Sequence, residues 1–391
     1  MPKKNYTIIL CSILTRKPIG TITAQIEGEK MEWFFHIGPN KTGTTTIQFA
    51  LHEARTALLS NNNCLYPEKG ILHAAHHMLN FSLNKEINGR APYAEALGVK
   101  DIPAFDELVD DIRREAMEHG AKKIIVSSET MWTWNIKRIR RLENVLKGDK
   151  AVTVIVAKPH LERELSMWQE EVKHGFVGTP TSYLKNYGDS ARLKEALVLT
   201  ERARWWREAG FNILPLCLQP RLGKMPLWDY FLSNTVGATI GGSPTKEYRN
   251  VSLSYLTITS IRNAMALFLD KNIKGAQLGR NEKMQPLRLA FDIVDKVKEQ
   301  TKGTDRLTLP AYSDFLVDKE AMPLAVSYFE RYVNDITSLF RLSGRSVDFD
   351  RLIEGSQPLG VFQNLIDENR EEYESQRELA KYFAQKIVNH I

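Results

Sequence analysis

A segment rich in glycine, lysine and threonine lies near the beginning of the chain, at residues 36–48. It follows the apolar run Trp33-Phe34-Phe35 and precedes apolar residues at helical spacing, which predicts a strand, a tight loop and a helix. Gly43 lets the backbone approach a ligand closely, and the first free N–H groups of the helix attract an anion. Lys41 adds a point charge. The segment therefore predicts a phosphate-binding loop.

The order of glycine and lysine separates this loop from the Walker A motif. In that motif the lysine follows the second glycine directly, whereas here Thr44 follows Gly43 and Lys41 precedes it. The run Pro39–Thr45 resembles the 5′-phosphosulfate loop of sulfotransferases, P-K-[ST]-G-T-[TS]. Asn40 is inserted between proline and lysine, as in bacterial sulfotransferase-like proteins. The alternative interpretation is a threonine-rich helix cap on a generic α/β domain.

The resemblance extends to the end of a β-branched run at residues 152–157. Sulfotransferases carry an arginine at the end of such a strand and a serine eight positions later, and both contact the 3′-phosphate of the nucleotide. Lys158 and Ser166 stand at this spacing. Lysine keeps the charge of arginine but loses its bidentate hydrogen bonding. Either the 3′-phosphate is bound more weakly, or Arg163 or another residue also binds it. Arg249 resembles a late basic residue of the family, and its alternative is a surface residue before a helix.

The resemblance implies that the chain transfers a sulfuryl group from 3′-phosphoadenosine 5′-phosphosulfate to a hydroxyl or amine acceptor, a carbohydrate or small molecule. Lys41 would neutralise the departing phosphate. No metal is expected, because sulfotransferases generally work without one. The residues expected to bind the nucleotide are Asn40, Lys41, Thr42, Gly43, Thr44, Thr45, Lys158, Ser166 and Arg249.

The acceptor's proton requires a base, and the family uses histidine or glutamate. Glu129 follows a predicted strand at 122–127 and is the first choice. Its alternative role is the first turn of a helix capped by Ser128. His77, His76 and Glu68 are reserves. The adjacent histidines point about 100° apart on a helix, so they do not chelate one metal, and the alternative is a polar pair at a helix start.

Composition excludes some classes of function. Over 391 residues the net charge of +6 is too small to predict nucleic-acid binding. Three widely spaced cysteines form no disulfide or zinc pattern, which predicts a reducing, cytoplasmic compartment. Residues 1–30 contain an apolar run too short to span a bilayer and no convincing cleavage site. We interpret them as a dispensable extension before a domain at 31–391.

Apolar runs near residues 33, 65, 124, 154 and 213 alternate with helical patterns. This alternation predicts an α/β fold with a mostly parallel sheet and helices on both faces. The resemblance implies the three-layer arrangement of P-loop NTPases and sulfotransferases. The stretches 85–104 and 181–187 are interpreted as a loop and a polar link. From about residue 250 the chain is expected to be helical, with helices at 252–270, 285–300, 312–342 and 362–389.

The last helix, from Glu371 to Ile391, carries an apolar stripe that either packs on the domain or pairs with a second subunit as a homodimer. Two other classes of function stay open. A P-loop kinase or NTPase would need a lysine after Gly43 and an acidic residue where Lys158 stands. A binding protein that keeps the nucleotide fold without turnover is allowed by the lysine at position 158.

Overall fold

The structure is a computed structural model that describes residues 30–146, 148–187, 198–218, 225–240, 253–272, 284–302, 313–316, 318–346 and 370–388. The extension predicted at 1–30 lies outside the described residues except for Lys30, and Arg249 also lies outside them.

A five-stranded parallel sheet forms the centre of the fold, in the order β2-β3-β1-β4-β5. The five predicted strands are confirmed, and the chain has an α/β fold. β1 is the central strand, and its last residue, His36, is paired with Ser127 of β3 and Val154 of β4. The strands are β1 (Glu32–His36), β2 (Cys64–Leu65), β3 (Lys123–Ser127), β4 (Lys150–Ala157) and β5 (Asn212–Cys217).

Among the described residues up to 235, ten α-helices and one 3₁₀ helix connect and cover these strands. A short 3₁₀ helix, Glu129–Thr133, follows β3. The α-helices are α1 (Thr44–Glu53), α2 (Arg55–Asn62), α3 (His77–Asn88), α4 (Pro92–Ala96), α5 (Phe105–Glu118), α6 (Ile136–Leu146), α7 (His160–Lys173), α8 (Pro180–Tyr187), α9 (Leu199–Glu208) and α10 (Leu227–Thr235).

The sheet is buried on both faces because side chains alternate along each strand. Trp33 and Phe35 of β1 belong to one core, which includes residues of α5, α6 and α9. Phe34, between them, belongs to a second core with residues of α1, α2 and α10. The helices that follow β1 therefore lie on one face, and α1 is held there by Ile47 and Leu51.

Among the described residues from 255 onward, the chain forms helices only. With α7 and α8 they build a third core. Asp314 ties this part together, because its carboxylate accepts hydrogen bonds from Tyr255, Tyr373 and Arg262. The helices are α11 (Tyr255–Asn272), α12 (Met284–Thr301), α13 (Ser313–Leu316), α14 (Ala321–Ser343) and α15 (Arg370–Val388).

Helix α14 links the third core to the sheet. Tyr328 at its beginning is buried in the helical core, whereas Ile336 and Leu339 are buried against the sheet. Both cores thus share one continuous helix, which favours a single unit. Within the described ranges, no helix combines the length and the apolar character needed to cross a bilayer.

Three expectations about local structure are wrong. The polar link predicted at 181–187 is α8, because Tyr183 and Leu184 are buried and Thr179 accepts the Ser182 N–H through its hydroxyl at 3.1 Å. The loop predicted at 85–104 contains the end of α3 and the short α4. The single helix predicted at 312–342 is two helices, since Pro323 lacks an N–H and fits only the first turn of α14.

Candidate functional site

The site lies where the chain reverses its direction across the sheet. From β1 the chain runs through α1 and α2 to β2 on one side, whereas β4 leads through α7 towards β5 on the other. Ligands of open parallel sheets bind in the crevice between the carboxyl ends of two such strands. In this sheet the two strands are β1 and β4, and we call the position at their carboxyl ends the crevice. The loop 37–43 and the beginning of α7 border it and contact each other through Arg163 and the Asn40 carbonyl.

Hydrogen bonds within the loop 37–43 fix its path. The Ile37 N–H donates to the Val154 carbonyl at 3.1 Å, which anchors the loop to β4. The buried Thr42 hydroxyl donates to the Pro39 carbonyl at 2.7 Å and so closes the loop on itself. The first hydrogen bond of α1 joins the Ile47 N–H to the Gly43 carbonyl at 3.1 Å. Thr42 thus acts within the loop through its side chain.

Two residues of the loop have a left-handed backbone, Lys41 with φ of 67° and Gly43 with φ of 81°. Only glycine adopts this conformation without strain. A Cβ added at Gly43 would also lie 2.5 Å from Leu227 Cδ2 of α10. A side chain at Gly38 would come within 3.1 Å of the Thr42 hydroxyl. The loop is therefore as tight as the glycine spacing predicts.

Helix α7 supplies polar partners for both ends of the crevice. The Lys158 ammonium donates to the Ser166 hydroxyl at 3.0 Å, so the structure brings these two predicted residues together. Arg163 donates through Nε to the Asn40 carbonyl at 3.1 Å and through Nη1 to Glu164 at 3.0 Å. Arg163 therefore contacts the loop backbone rather than Lys158 or Ser166 in these hydrogen bonds.

The cations of the site lie close enough to influence one another. Burial lowers the pKa of Lys158, Glu162 raises it, and the charges of Lys41 and Arg163 lower it further. Like charges that disfavour each other's charged form are stabilised when an anion binds between them. Three cations therefore lie near the beginning of α1, two of them paired with carboxylates, Lys41 with Glu170 and Arg163 with Glu164.

Glu129 and His77 lie on the other side of the α1 N-terminus. Thr44, the first residue of α1, donates from its hydroxyl to Glu129 Oε2 at 3.0 Å. His77 Nδ1 lies 3.1 Å from the Ser128 hydroxyl. Burial lowers the pKa of His77, although Glu129 raises it, so the imidazole is neutral at pH 7. Ser128 makes no capping hydrogen bond with its side chain, which weakens its alternative role as a helix cap.

The two reserve bases have other partners. His76 is fully buried, accepts the Ser127 N–H at Nδ1 at 3.2 Å and donates from Nε2 to the Pro67 carbonyl at 3.1 Å. Burial lowers its pKa to about 4. Glu68 is exposed and pairs with Arg55 at 2.7 Å. His76 therefore supports the carboxyl end of β3, and Glu68 lies on the surface beside α2.

Sequence reasoning missed a buried polar group beneath the loop. His36 Nδ1 lies 2.8 Å from the Ser127 hydroxyl, which also accepts from Gln48 Nε2 at 3.2 Å. Burial lowers the pKa of His36 to about 3, so this ring stays neutral. A polar residue at the end of an apolar strand is the only signal for this group that the sequence contains.

A second omission is Glu170 of α7, which accepts a hydrogen bond from Lys41 at 2.9 Å.

Thr45 lies half-buried in the first turn of α1, and the position of Arg249 is outside the described residues. Among the residues that the structure describes, no group of three or more histidine, cysteine, aspartate or glutamate side chains is placed to hold a metal ion.

The chain was compared with protein-family models, curated proteins and solved structures. None of the three comparisons found a match.

Proposed function

We propose that the chain is a sulfotransferase that uses 3′-phosphoadenosine 5′-phosphosulfate as donor and a hydroxyl or amine of a carbohydrate or small molecule as acceptor. The observation that carries the proposal is the hydrogen bond between Lys158 and Ser166 beside the loop 37–43. These are the residues at the spacing that sulfotransferases use for the 3′-phosphate, and the loop is the one that resembles their 5′-phosphosulfate loop.

The arrangement of layers supports the same class. A parallel sheet, cores on both of its faces and a loop between the central strand and a helix are features of the three-layer P-loop NTPase and sulfotransferase-like folds. We place the chain in that class. The Walker A lysine is absent after Gly43, and Lys158 stands where a kinase or NTPase would need an acidic residue.

The residues that border the crevice offer partners for the two anionic ends of the proposed nucleotide. The loop N–H groups, the N-terminus of α1 and Lys41 would hold the 5′-phosphosulfate. Lys158 and Ser166 would hold the 3′-phosphate, and their existing hydrogen bond keeps both side chains in place. Arg163 would hold the loop in position through its hydrogen bond to the Asn40 carbonyl.

In the proposed reaction the acceptor oxygen attacks the sulfur in line with the leaving oxygen. A new O–S bond forms as the S–O bond to the 5′-phosphate breaks, and the electron pair of that bond stays on the phosphate. Lys41 would neutralise this charge. The acceptor's proton would pass to Glu129, with the neutral His77 as the second candidate. The products are a sulfated acceptor and 3′-phosphoadenosine 5′-phosphate.

Nucleotide binding tests the proposal directly. Thermal unfolding with 3′-phosphoadenosine 5′-phosphate, ADP and ATP should show the largest stabilisation with the first, and magnesium should not be required. A larger, magnesium-dependent shift with ATP would favour a kinase or NTPase. Tight binding of the bisphosphate without transfer to any acceptor would instead indicate a binding protein.

Lys41→Ala should abolish transfer while the fold survives. Loss of one such donor typically costs about 3 kcal/mol of transition-state stabilisation. The matched control is Lys150→Ala, which removes an exposed lysine at the amino end of β4, on the opposite edge of the sheet. Turnover of donor by a folded Lys41→Ala protein at the rate of the wild type would contradict the proposal.

A further inference from the structure

Glu170 holds Lys41 in the described structure. One oxygen of its carboxylate, Oε2, lies 2.9 Å from Lys41 Nζ and 3.0 Å from Lys173 Nζ. Lys173 is three residues further along α7, whereas Lys41 reaches the carboxylate from the loop after β1. The carboxylate therefore joins the loop to α7 through Lys41, the residue proposed to neutralise the leaving phosphate.

The charge of this carboxylate is secure. Burial alone would raise the pKa of Glu170, but the hydrogen bonds and charges of Lys41 and then Lys173 lower it to about 2. The group is thus ionised at pH 7. An ammonium in contact with a carboxylate gives up part of that contact before it neutralises a phosphate.

Lys173 reduces the cost of that exchange. Removal of one partner from a partly buried pair is costly when the other charge is left alone. Glu170 is not left alone when Lys41 moves, because Lys173 remains hydrogen-bonded to the same oxygen. The hydrogen bond between Lys173 and Glu170 therefore permits Lys41 to move from the carboxylate to a ligand and back.

We propose that Glu170 is a positioning residue that competes with the nucleotide's 5′-group for Lys41, and so sets how tightly and for how long the desulfated nucleotide is held. The inference rests on the proposed function. Its ligand class is an adenosine 3′-phosphate that also carries a 5′-phosphate or 5′-phosphosulfate. A nucleotide without a charged 5′-group does not engage Lys41 and is insensitive to Glu170.

Two nucleotides isolate the effect of the 5′-group. Calorimetry with 3′-phosphoadenosine 5′-phosphate and with adenosine 3′-phosphate is carried out on the wild type and on Glu170→Gln, which keeps the side-chain shape. We expect the Kd of the bisphosphate to fall by about three- to tenfold in the variant, as expected when one charge at a partly exposed site is removed. Its dissociation rate should fall by a similar factor, and the Kd of adenosine 3′-phosphate should stay unchanged.

Glu171→Gln is the matched control, since it removes the same charge from the next residue of α7. Glu171 is half-buried on the same helix, whereas Lys41 and Lys173 pair with Glu170. Its substitution should leave the ratio of the two dissociation constants at the value of the wild type. A general loss of negative charge around the site would move that ratio in both variants.

Lys173→Gln tests the second partner. It should weaken bisphosphate binding in the wild-type background, because Glu170 then holds Lys41 alone, and it should have a much smaller effect in the Glu170→Gln background. Equal effects in both backgrounds, or weaker bisphosphate binding by Glu170→Gln, would overturn the inference while leaving the proposed function intact. Failure of the wild type to bind either nucleotide would overturn both.

Discussion

The Lys158 ammonium at the end of β4 and the Ser166 hydroxyl on α7 are joined by a hydrogen bond of 3.0 Å. Ser166 also donates to the Glu162 carbonyl, one turn earlier on the same helix, at 2.7 Å. The hydroxyl therefore accepts a hydrogen bond from Lys158 and donates one to the helix backbone. These two hydrogen bonds fix the Lys158 and Ser166 side chains relative to each other.

Lys158→Met should selectively weaken binding of nucleotides that carry a 3′-phosphate. We expect the Kd of 3′-phosphoadenosine 5′-phosphate to rise by roughly tenfold or more, because a charge-assisted hydrogen bond in a largely buried site is lost. Binding of adenosine 5′-phosphate, which lacks that group, should change far less. Calorimetry with the two nucleotides measures the difference, and equal losses would show that Lys158 does not contact the 3′-phosphate.

Lys158 and Ser166 were identified from their resemblance to the sulfotransferase pattern, in which the end of a strand and the following helix carry the two residues eight positions apart. The strands were predictable, since β-branched and aromatic runs carry their own pattern. By contrast, Lys41 and Glu170 are 129 residues apart in the sequence. Nothing in the local pattern of either residue predicts that α7 brings them together.

Helix α8 shows why some local structure was not predictable. Its sequence has exposed polar residues, and the burial of Tyr183 and Leu184 in the third core stabilises it, which the local sequence does not reveal. Likewise, His76 was one of two adjacent histidines in the sequence. Only the fold shows that it is buried and hydrogen-bonded to β3, whereas His77 lies beside Glu129.

Gly43→Ala should cost more stability than the same substitution at Gly120. Both glycines have a positive φ, 81° and 65°, so the backbone cost is similar, about 1 kcal/mol. At Gly120 no atom lies within 4 Å of the added Cβ, whereas at Gly43 the Leu227 side chain is 2.5 Å away. We expect a further ~1–3 kcal/mol at Gly43 from overpacking, measured by urea unfolding.

Leu227→Ala in the Gly43→Ala background separates the two contributions. It removes the contact and should recover part of the extra cost, although Leu227→Ala alone is destabilising because Leu227 packs against the core on that face. A double variant that is destabilised by the full sum of the two single changes would show that Leu227 does not set the glycine requirement.

Acidification below the ordinary histidine pKa of about 6.5 should destabilise the fold. Burial lowers the pKa of His36 to about 3 and of His76 to about 4. Between these values and the unfolded pKa of about 6.5 the unfolded chain binds protons that the native state does not, so stability falls as the pH falls. Burial raises the pKa of Glu164 to about 7, although the charge of Arg163 lowers it. Below that pH the native state binds one proton that the unfolded chain releases, and this opposes the effect of the histidines on stability.

With two histidines against one glutamate, the free energy of unfolding should fall by on the order of 1–2 kcal/mol per pH unit from pH 6.5 to 4.5. Urea unfolding at several pH values measures this slope. Glu164→Gln removes the opposing proton, so its slope should be steeper by about 1 kcal/mol per unit. A flat profile in the wild type would mean that the two histidines are accessible to protons in the native state.

Glu129→Gln should lower kcat by about 10²-fold or more with little change in nucleotide affinity, which is typical of the loss of a general base. The variant keeps an oxygen for the Thr44 hydroxyl, so the hydrogen bond at the start of α1 is retained. Single-turnover transfer measures the rate, and calorimetry measures binding. A loss of affinity equal to the loss of rate would indicate that Glu129 supports the loop rather than the chemistry.

His77→Asn is the comparison for Glu129→Gln, because His77 lies beside Glu129 and is neutral at pH 7. If Glu129 takes the proton, the acid limb of the pH–rate profile should disappear in Glu129→Gln and persist in His77→Asn. The opposite result would transfer the role to His77. In that case the limb should lie below the ordinary histidine pKa of about 6.5, since burial lowers the pKa of this imidazole. The position of the limb and its response to the two variants therefore identify the base together.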